Sequence, residues 1–431
     1  MTATATHPVH TPDGTILAPG DLDCLRRLAA RIRAIAEDRA NLERRLAWYN
    51  HDAGSDGRPM VLAESGGLRD RARPVVDADL VCVSEWARGI ERSLRVQIYQ
   101  FDVLQDDHVV EPRLCTGWQV TASDHGVQVV QHHAKFDGPL GARRWDAPIA
   151  DLEADLHRLQ PRTFSVDRQA THAEVERLEG VFGDLLAIEI RGGFWWTLGM
   201  TWTAIELIGL ENLMLSMYDQ PDGLHALMAF LRDDALAFAE WLQAEGLLCR
   251  NDENDYVGSG SMGYTRDLAR PEAADVQTTD QWVLLESQET VGVGPEQFAE
   301  FIFPYQRDLA ARFGKVYYGC CEPVHNRIDV LTQLPNLARV SVSPWADEET
   351  MAAVLGTDLV FSRKQNPTLI STEVFDEAAI LDDLRQTLSV ARDCRVELIM
   401  KDVHTLCEHP ERLPRWVELA RQAVDEAMDR V

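Results

Sequence analysis

Two adjacent cysteines and a glutamate, with a histidine three residues further on, stand directly after an apolar run in "KVYYGCCEPVHNRID", residues 315–329. Thiolate and imidazole are the ligands zinc prefers, and carboxylate is acceptable, so Cys320 and Cys321 are candidate metal ligands. On a regular strand consecutive side chains face opposite ways. Both cysteines serve one site only if the strand ends there, as Gly319 before them and Pro323 after them allow. Otherwise one thiol faces a pocket and the other fills the core.

A second stretch, "LIMKDVHTLCEHP", carries Lys401, Asp402, His404 and Cys407 just past another apolar run. His404 and Cys407 complete a thiolate-rich metal site where this end shares a face with the cysteine pair. Lys401 and Asp402 read either as a solvated loop pair or as groups that move protons. "VFSRKQNP" places Arg363 and Lys364 together. In an acidic chain such a basic pair suits a carboxylate or phosphate on a substrate, which arginine binds with two parallel bonds, or it answers the pocket's own acids. "LLESQET" supplies Glu286 and Glu289 as proton-transfer groups, metal ligands or turn caps. "SPWAD" adds Trp345 and Asp347, and "FWWTLGMTW" concentrates Trp195, Trp196 and Trp202, which are either core or the walls of a pocket for a flat or cationic ligand. Dinucleotide, P-loop, hydrolase-elbow and zincin signatures are missing.

These residues need a frame that brings strand ends together. From about residue 181, short apolar runs alternate with helical segments: "LLAIEIRGGFWW", "LLCRNDENDYV", "QWVLLESQET", "KVYYGCCEP", "LARVSVSPWAD", "DLVFSRKQNP" and "RVELIMKDVHT". Strands that are apolar throughout and separated by helices form a parallel sheet covered on both faces. Seven such strands and one from upstream suit a (β/α)8 TIM-type barrel, in which all C-terminal strand ends lie on one face, where active sites are built. Residues 181–431 are expected to hold the main part of this α/β barrel. Residues 1–180 form an N-terminal helical and α+β extension: a loose tail of 20 residues, one long amphipathic helix near 22–52, and strand-like runs "RPMVLAE", "LRVQIYQFDVL" and "GVQVVQHHAKF".

Composition narrows the partners. Lys plus Arg number 42 against 70 Asp plus Glu, a net charge of −28, which repels nucleic acid and anionic membrane surfaces. No signal peptide or stretch long enough to span a membrane is legible. Eight cysteines scattered through a long chain point to a reducing cytoplasm rather than a disulfide scaffold.

With "YYGCCEP", "SPWAD", "FSRKQNP" and "LIMKDVHT" in this order, the chain from about residue 181 resembles the uroporphyrinogen decarboxylase-like superfamily, and within it an uncharacterised bacterial branch. The resemblance implies a (β/α)8 barrel. It also implies one of several chemistries, since the superfamily holds the heme-pathway decarboxylase and zinc methyltransferases that move methyl groups between corrinoids and thiols. The decarboxylase's arginine-bearing N-terminal pattern is missing. Cys320 falls on the methyltransferases' cysteine, Tyr318 replaces their histidine, and Cys407 lies near their late cysteine.

The expected function is therefore a zinc-assisted methyltransferase acting on a small-molecule substrate, with a corrinoid on a separate protein or a folate as methyl donor. Cys320, Cys321, His404 and Cys407 would hold the metal, Glu286, Lys401 and Asp402 would do proton work, and Arg363, Lys364, Trp345 and Tyr318 would bind substrate. The alternative is a cofactor-free decarboxylase or lyase in which Arg363 and Lys364 hold a carboxylate. A ligand-sensing barrel without catalysis is a third reading. The oligomeric state is open, a homodimer included.

Overall fold

The computed structural model describes residues 10–54, 57–133, 143–268 and 275–429. Eight apolar runs form parallel strands: β1 Met60–Ala63, β2 Arg113–Thr116, β3 Ala187–Ile190, β4 Trp282–Leu285, β5 Lys315–Tyr318, β6 Leu337–Val342, β7 Val360–Lys364 and β8 Arg395–Met400. Six of them make one sheet in the order β1-β8-β7-β6-β5-β4, every pairing parallel. Strands β2 and β3 pair with each other. Parallel neighbours need crossovers, and helices Glu348–Leu355, Glu377–Val390 and Arg412–Met428 follow β6, β7 and β8.

The result is a mixed α/β fold around a central six-stranded parallel sheet. Among the described residues no strand ladder joins the β2–β3 pair to that sheet. Side chains occupy the two sheet edges instead. At β1 the backbone N–H groups of Val61 and Ala63 donate to the carboxylates of Asp107 (2.7 Å) and Asp106 (2.9 Å). At β4 the Asn251 amide exchanges two hydrogen bonds with the backbone of Trp282, and Leu198 N–H donates to the Leu284 carbonyl.

Several local expectations change. The long N-terminal helix is two, α1 Pro19–Ala36 and α2 Arg39–Ala53, because Asp38 takes extended backbone and its carboxylate caps α2 by accepting from Ala40 N–H at 2.8 Å. The run "LRVQIYQFDVL" lies mostly in a helix, α3 Glu85–Tyr99, capped by Ser84 and burying Ala87, Glu91 and Leu94 along one side. Its aromatic and β-branched content reads as strand, but the spacing of its buried residues is helical. "LLCRNDENDYV" forms no sheet strand. Its leucines pack on Phe238 and Leu242, and only Tyr256–Gly258 is extended, in a small hairpin with Ser261–Met262. "GVQVVQHHAKF" contributes the strand Val130–His133 after an irregular start at 126–129, and its last three residues lie outside the described residues. No described helix is long and apolar enough to cross a membrane.

Strand alternation decides which side chains meet. One face of the sheet packs Val283, Leu285, Val316, Tyr318, Val340, Phe361, Val396 and Leu398 into the main core with the covering helices. The opposite, inner face carries Trp282, Leu284 and Tyr317 in one cluster and Met60, Leu62 and Ile399 in another. Between them runs a polar chain. Arg339, fully buried, pairs with Glu397 (3.1 Å), also fully buried, and with Asp52 of α2 (2.9 Å). Glu397 in turn accepts from Ser261 (2.9 Å) and Ser362 (2.6 Å). Each buried charge has a partner, and α2 is tied to the sheet by the same ion pairs.

Removing one partner leaves an uncompensated buried charge, which costs about 3–5 kcal/mol. Arg339→Leu should therefore lower the urea midpoint of unfolding by that equivalent, whereas Arg33→Leu, at an exposed pair with Glu37, should change it little. Equal midpoints for the two variants would show that the network does not hold α2 and the sheet together.

Candidate active site at the strand ends

The turn after β5 is built to present sulfur. Gly319 takes φ +96°, a left-handed backbone that only glycine adopts readily, and a Cβ there would come within 3.1 Å of the Ser341 side chain. The alternation of the strand stops at this point. Glu322, fully buried, then clamps the turn by accepting from the backbone N–H groups of Cys320 (2.8 Å) and Ser287 (3.0 Å). The Ser341 hydroxyl donates to the Cys320 carbonyl at 2.7 Å. Both thiols end up on one side, with Cys320 Sγ 3.4 Å from Cys321 Sγ.

A ring of polar groups closes around them. Ser259 Oγ lies 3.7 Å from Cys320 Sγ and accepts from Lys401 Nζ at 3.1 Å. Lys401 is 3.8 Å from Asp402, and Asp402 accepts from Cys321 Sγ at 3.1 Å. Asp402 is held at φ +58°, a conformation a non-glycine residue takes at a cost.

The electrostatics divide the two thiols. The hydrogen bond from Cys321 is the largest influence on Cys320 and holds its titration below that of an ordinary thiol; burial opposes this, and the Lys401 ammonium adds to the lowering. Cys321 goes the other way, pushed far up by the same hydrogen bond, by burial and by Asp402. Of the two, Cys320 is therefore the thiol that ionises first, while Cys321 holds its proton between the Cys320 sulfur and the Asp402 carboxylate. Lys401 is buried, but the surrounding Tyr256, Cys320, Glu64 and Asp402 outweigh the desolvation and raise it above the usual lysine range.

Lys364 behaves differently. It lies on the inner face and donates to the Ser362 carbonyl (2.9 Å), the Ser362 hydroxyl (2.8 Å) and the Tyr317 hydroxyl. Complete burial lowers it to about 7, with Glu397 opposing and Lys401 assisting.

The other expected residues are distributed as follows. Glu286 is buried beside Glu289 and Glu322, and desolvation together with those like charges raises it well above an ordinary glutamate. One of its oxygens accepts from Gln288 N–H, and the other is buried without a partner. Arg363 and Tyr318 sit on the outer face, one residue out of phase with the inner groups. Arg363 pairs with Glu348 at 2.7 Å, and the Tyr318 hydroxyl donates to Ser287 and Gln306, each at 2.9 Å. Neither joins the thiols. Trp345 is 64% exposed. His404 meets the Gly67 carbonyl (3.3 Å) and Cys407 the Ser371 carbonyl (3.6 Å). The four expected metal ligands therefore do not converge, and the zinc site drawn from them does not fit this geometry. Among the described residues, the group whose ligand atoms all lie close enough to hold a metal ion together is Cys24, Cys82 and Glu91, buried under α1 and α3. There the Glu91 carboxylate also accepts from Val81 N–H, Cys82 N–H and Arg95.

Sequence reasoning missed Glu64, Tyr256 and Ser259. Glu64 ends "RPMVLAE" just past β1, has a buried oxygen without a partner and lies over Gly260. It fits the same strand-end rule that picked out Lys401. Ser259 and Tyr256 belong to a Gly-Ser hairpin for which apolar patterning gives no signal.

A cavity of about 470 Å³ is lined by Tyr256 together with Phe194, Trp195, Trp196, Trp282 and the ion-paired Arg113 and Arg191, while Cys320, Cys321 and Lys401 are not part of its lining. Its size suits a small organic ligand. Trp202 packs instead against Trp145.

Among solved structures, the fold is similar to that of a methyltransferase from Methanosarcina mazei, with 10% identity, coverage of 89% of this chain and 98% of that chain, and a TM-score of 0.47. No family model matches the chain, and no curated protein does.

Because Cys321 and Lys401 both lower Cys320, iodoacetamide should alkylate the Cys320 peptide at a lower pH than an unperturbed thiol near 8.5. Lys401→Met should move that onset upward and Cys321→Ala should move it further, both read by mass spectrometry of the peptide across pH 5–10. A wild-type onset at the ordinary thiol value would mean that the ring does not stabilise a thiolate.

Proposed function

We propose that the chain is an enzyme transferring a methyl group to a small substrate that meets Cys320 and Lys401 at the strand ends. The observation that carries this is the placement of Cys320, a thiol lowered in titration, and Lys401, a lysine raised in titration, on either side of Ser259 at the sheet's C-terminal face. In this reading Cys320 takes the proton from the substrate's thiol or other acidic heteroatom, and the Lys401 ammonium stabilises the anion formed. The anion then attacks the methyl carbon of the donor. The acceptor–carbon bond forms as the donor–carbon bond breaks, and its electron pair leaves with the donor, a corrinoid carried by a separate protein or a folate. Asp402 and Cys321 keep the ring polarised from its exposed side, and burial of Cys320 and Lys401 strengthens the charge interaction between those two.

The purified protein should methylate small thiols from methylcobalamin or methyltetrahydrofolate. Cys320→Ser and Lys401→Met should each lower kcat/KM about 10²–10⁴-fold, the range of a lost proton-transfer group, followed by mass detection of the methylated product. Turnover unchanged in Cys320→Ser would remove the thiolate from the mechanism. About one zinc per chain, lost in that variant, would assign stabilisation of the substrate anion to a metal instead of Lys401.

One observation favours a second reading, a lyase or decarboxylase. A buried lysine titrating at about 7 beside a second, charged lysine is the arrangement that leaves an amine free to add to a carbonyl. Incubation with a small 2-oxo acid and borohydride should then leave a covalent mass increment on the Lys364 peptide. An unmodified peptide would dispose of this reading and leave the first untouched.

A further inference from the structure

The cysteine pair has a chemistry of its own. The two sulfurs lie 3.4 Å apart, one bond-forming displacement from contact. Cys321 hydrogen-bonds to Asp402 at 3.1 Å, so its proton has an acceptor in place. Cys321 is half-buried and Cys320 is 4% exposed. The other cysteines lack such a partner. Cys115, Cys249, Cys394 and Cys407 have no thiol neighbour among their hydrogen bonds, and Cys82, near Cys24, is pushed far up in titration by burial, which keeps it a thiol.

We infer that Cys320 and Cys321 are an oxidative modification site that closes into a disulfide between neighbouring residues when the protein meets a small peroxide. The inference goes beyond the proposed methyl transfer and does not rest on it. In the first step the Cys320 sulfur attacks one peroxide oxygen. A sulfur–oxygen bond forms, the oxygen–oxygen bond breaks, and hydroxide leaves and is protonated to water. In the second, Asp402 takes the Cys321 proton and the Cys321 sulfur attacks the oxidised sulfur. The sulfur–sulfur bond forms, the sulfur–oxygen bond breaks, and a second water leaves. Two thiols lose two electrons, and hydrogen peroxide gains them as it becomes two waters.

The ring so formed is easily opened. Neighbouring Cα atoms are about 3.8 Å apart across a trans peptide, shorter than the roughly 4.4–6.8 Å of ordinary disulfides, and such departures make the bond more reducible. Closing it also removes the ionisable thiol near Lys401 and the hydrogen bond from Cys321 to Asp402. Oxidation would silence the ring, and a thiol reductant would restore it.

The test treats the full-length protein with stoichiometric hydrogen peroxide and measures intact mass and the peptide spanning 315–329. The expected result is a loss of 2 Da located between Cys320 and Cys321 and regained with dithiothreitol. In Cys321→Ser the same treatment should give instead a dimedone-trapped sulfenic acid at Cys320, because no second thiol is there to resolve it. Gains of 16 or 32 Da at Cys320 in the wild type without the 2 Da loss would overturn the inference. So would a disulfide joining either cysteine to a distant one. These readouts are independent of turnover, so a failed methyl-transfer assay and a failed oxidation are told apart.

Discussion

Arg339 lies at the point where the rest of the molecule is tied together. A guanidinium with no exposed surface survives only if its charge is answered, and Glu397, Asp52, Ser261 and backbone carbonyls of the 262–264 segment satisfy its two terminal nitrogens, leaving only Nε without a partner. The consequence is architectural. Asp52 comes from α2, Glu397 from β8, Arg339 from β6 and Ser261 from the hairpin that also carries Ser259. One buried charge therefore fixes the N-terminal helix beneath the sheet and the hairpin across it. Through Ser362, which donates to Glu397 and accepts from Lys364, the same network reaches the strand ends where the thiols lie.

That support explains how the site can hold opposed charges close together. Cys320 is lowered in titration by a hydrogen bond and a cation. Lys401 is stabilised as a cation by the anionic groups around it, and Cys321 keeps its proton because a thiolate and a carboxylate both attract it. Each of these states would be unfavourable alone in a buried setting. They persist as a set because every charge is the counter-charge of another. Gly319 and Glu322 contribute the geometry: the left-handed turn ends the strand, and the carboxylate pins the two amides that would otherwise be left unsatisfied.

What the sequence disclosed follows from the same physics. The runs that became β4 to β8 were legible because strands buried on both faces are apolar throughout, and "RPMVLAE" showed β1 for the same reason. The cysteine pair, Lys401 and Asp402 were legible because chemistry-bearing residues followed those runs directly. Arg363 and Tyr318 were misplaced because a run apolar on both faces hides its own phase, so Arg363 and Lys364 looked like a pair and in fact face opposite ways. The long helix was split by Asp38, whose capping role depends on a backbone angle that periodicity does not register. Ser259 enters the site from a hairpin that apolar patterning does not mark, and only tertiary packing brings it there, whereas Glu64 follows β1 directly as Lys401 follows β8.

The two lysines of the site show how environment assigns roles to identical side chains. Lys401 stands among Tyr256, Cys320, Glu64 and Asp402 and is held charged. Lys364 lies deeper, where desolvation dominates and Lys401 itself disfavours a second positive charge. In the unfolded chain both would titrate near 10.4. Folding drives them apart, so between about pH 7 and 10 one is held charged and the other becomes a neutral amine hydrogen-bonded to Tyr317 and Ser362. The sign of the linkage follows: in that window the unfolded chain binds the extra proton on Lys364, so this group's contribution to stability grows as pH rises and is lost as it falls toward 7. The proposed chemistry draws on this contrast: a buried amine kept at that cost, a raised lysine and a lowered thiol gather at one end of the sheet.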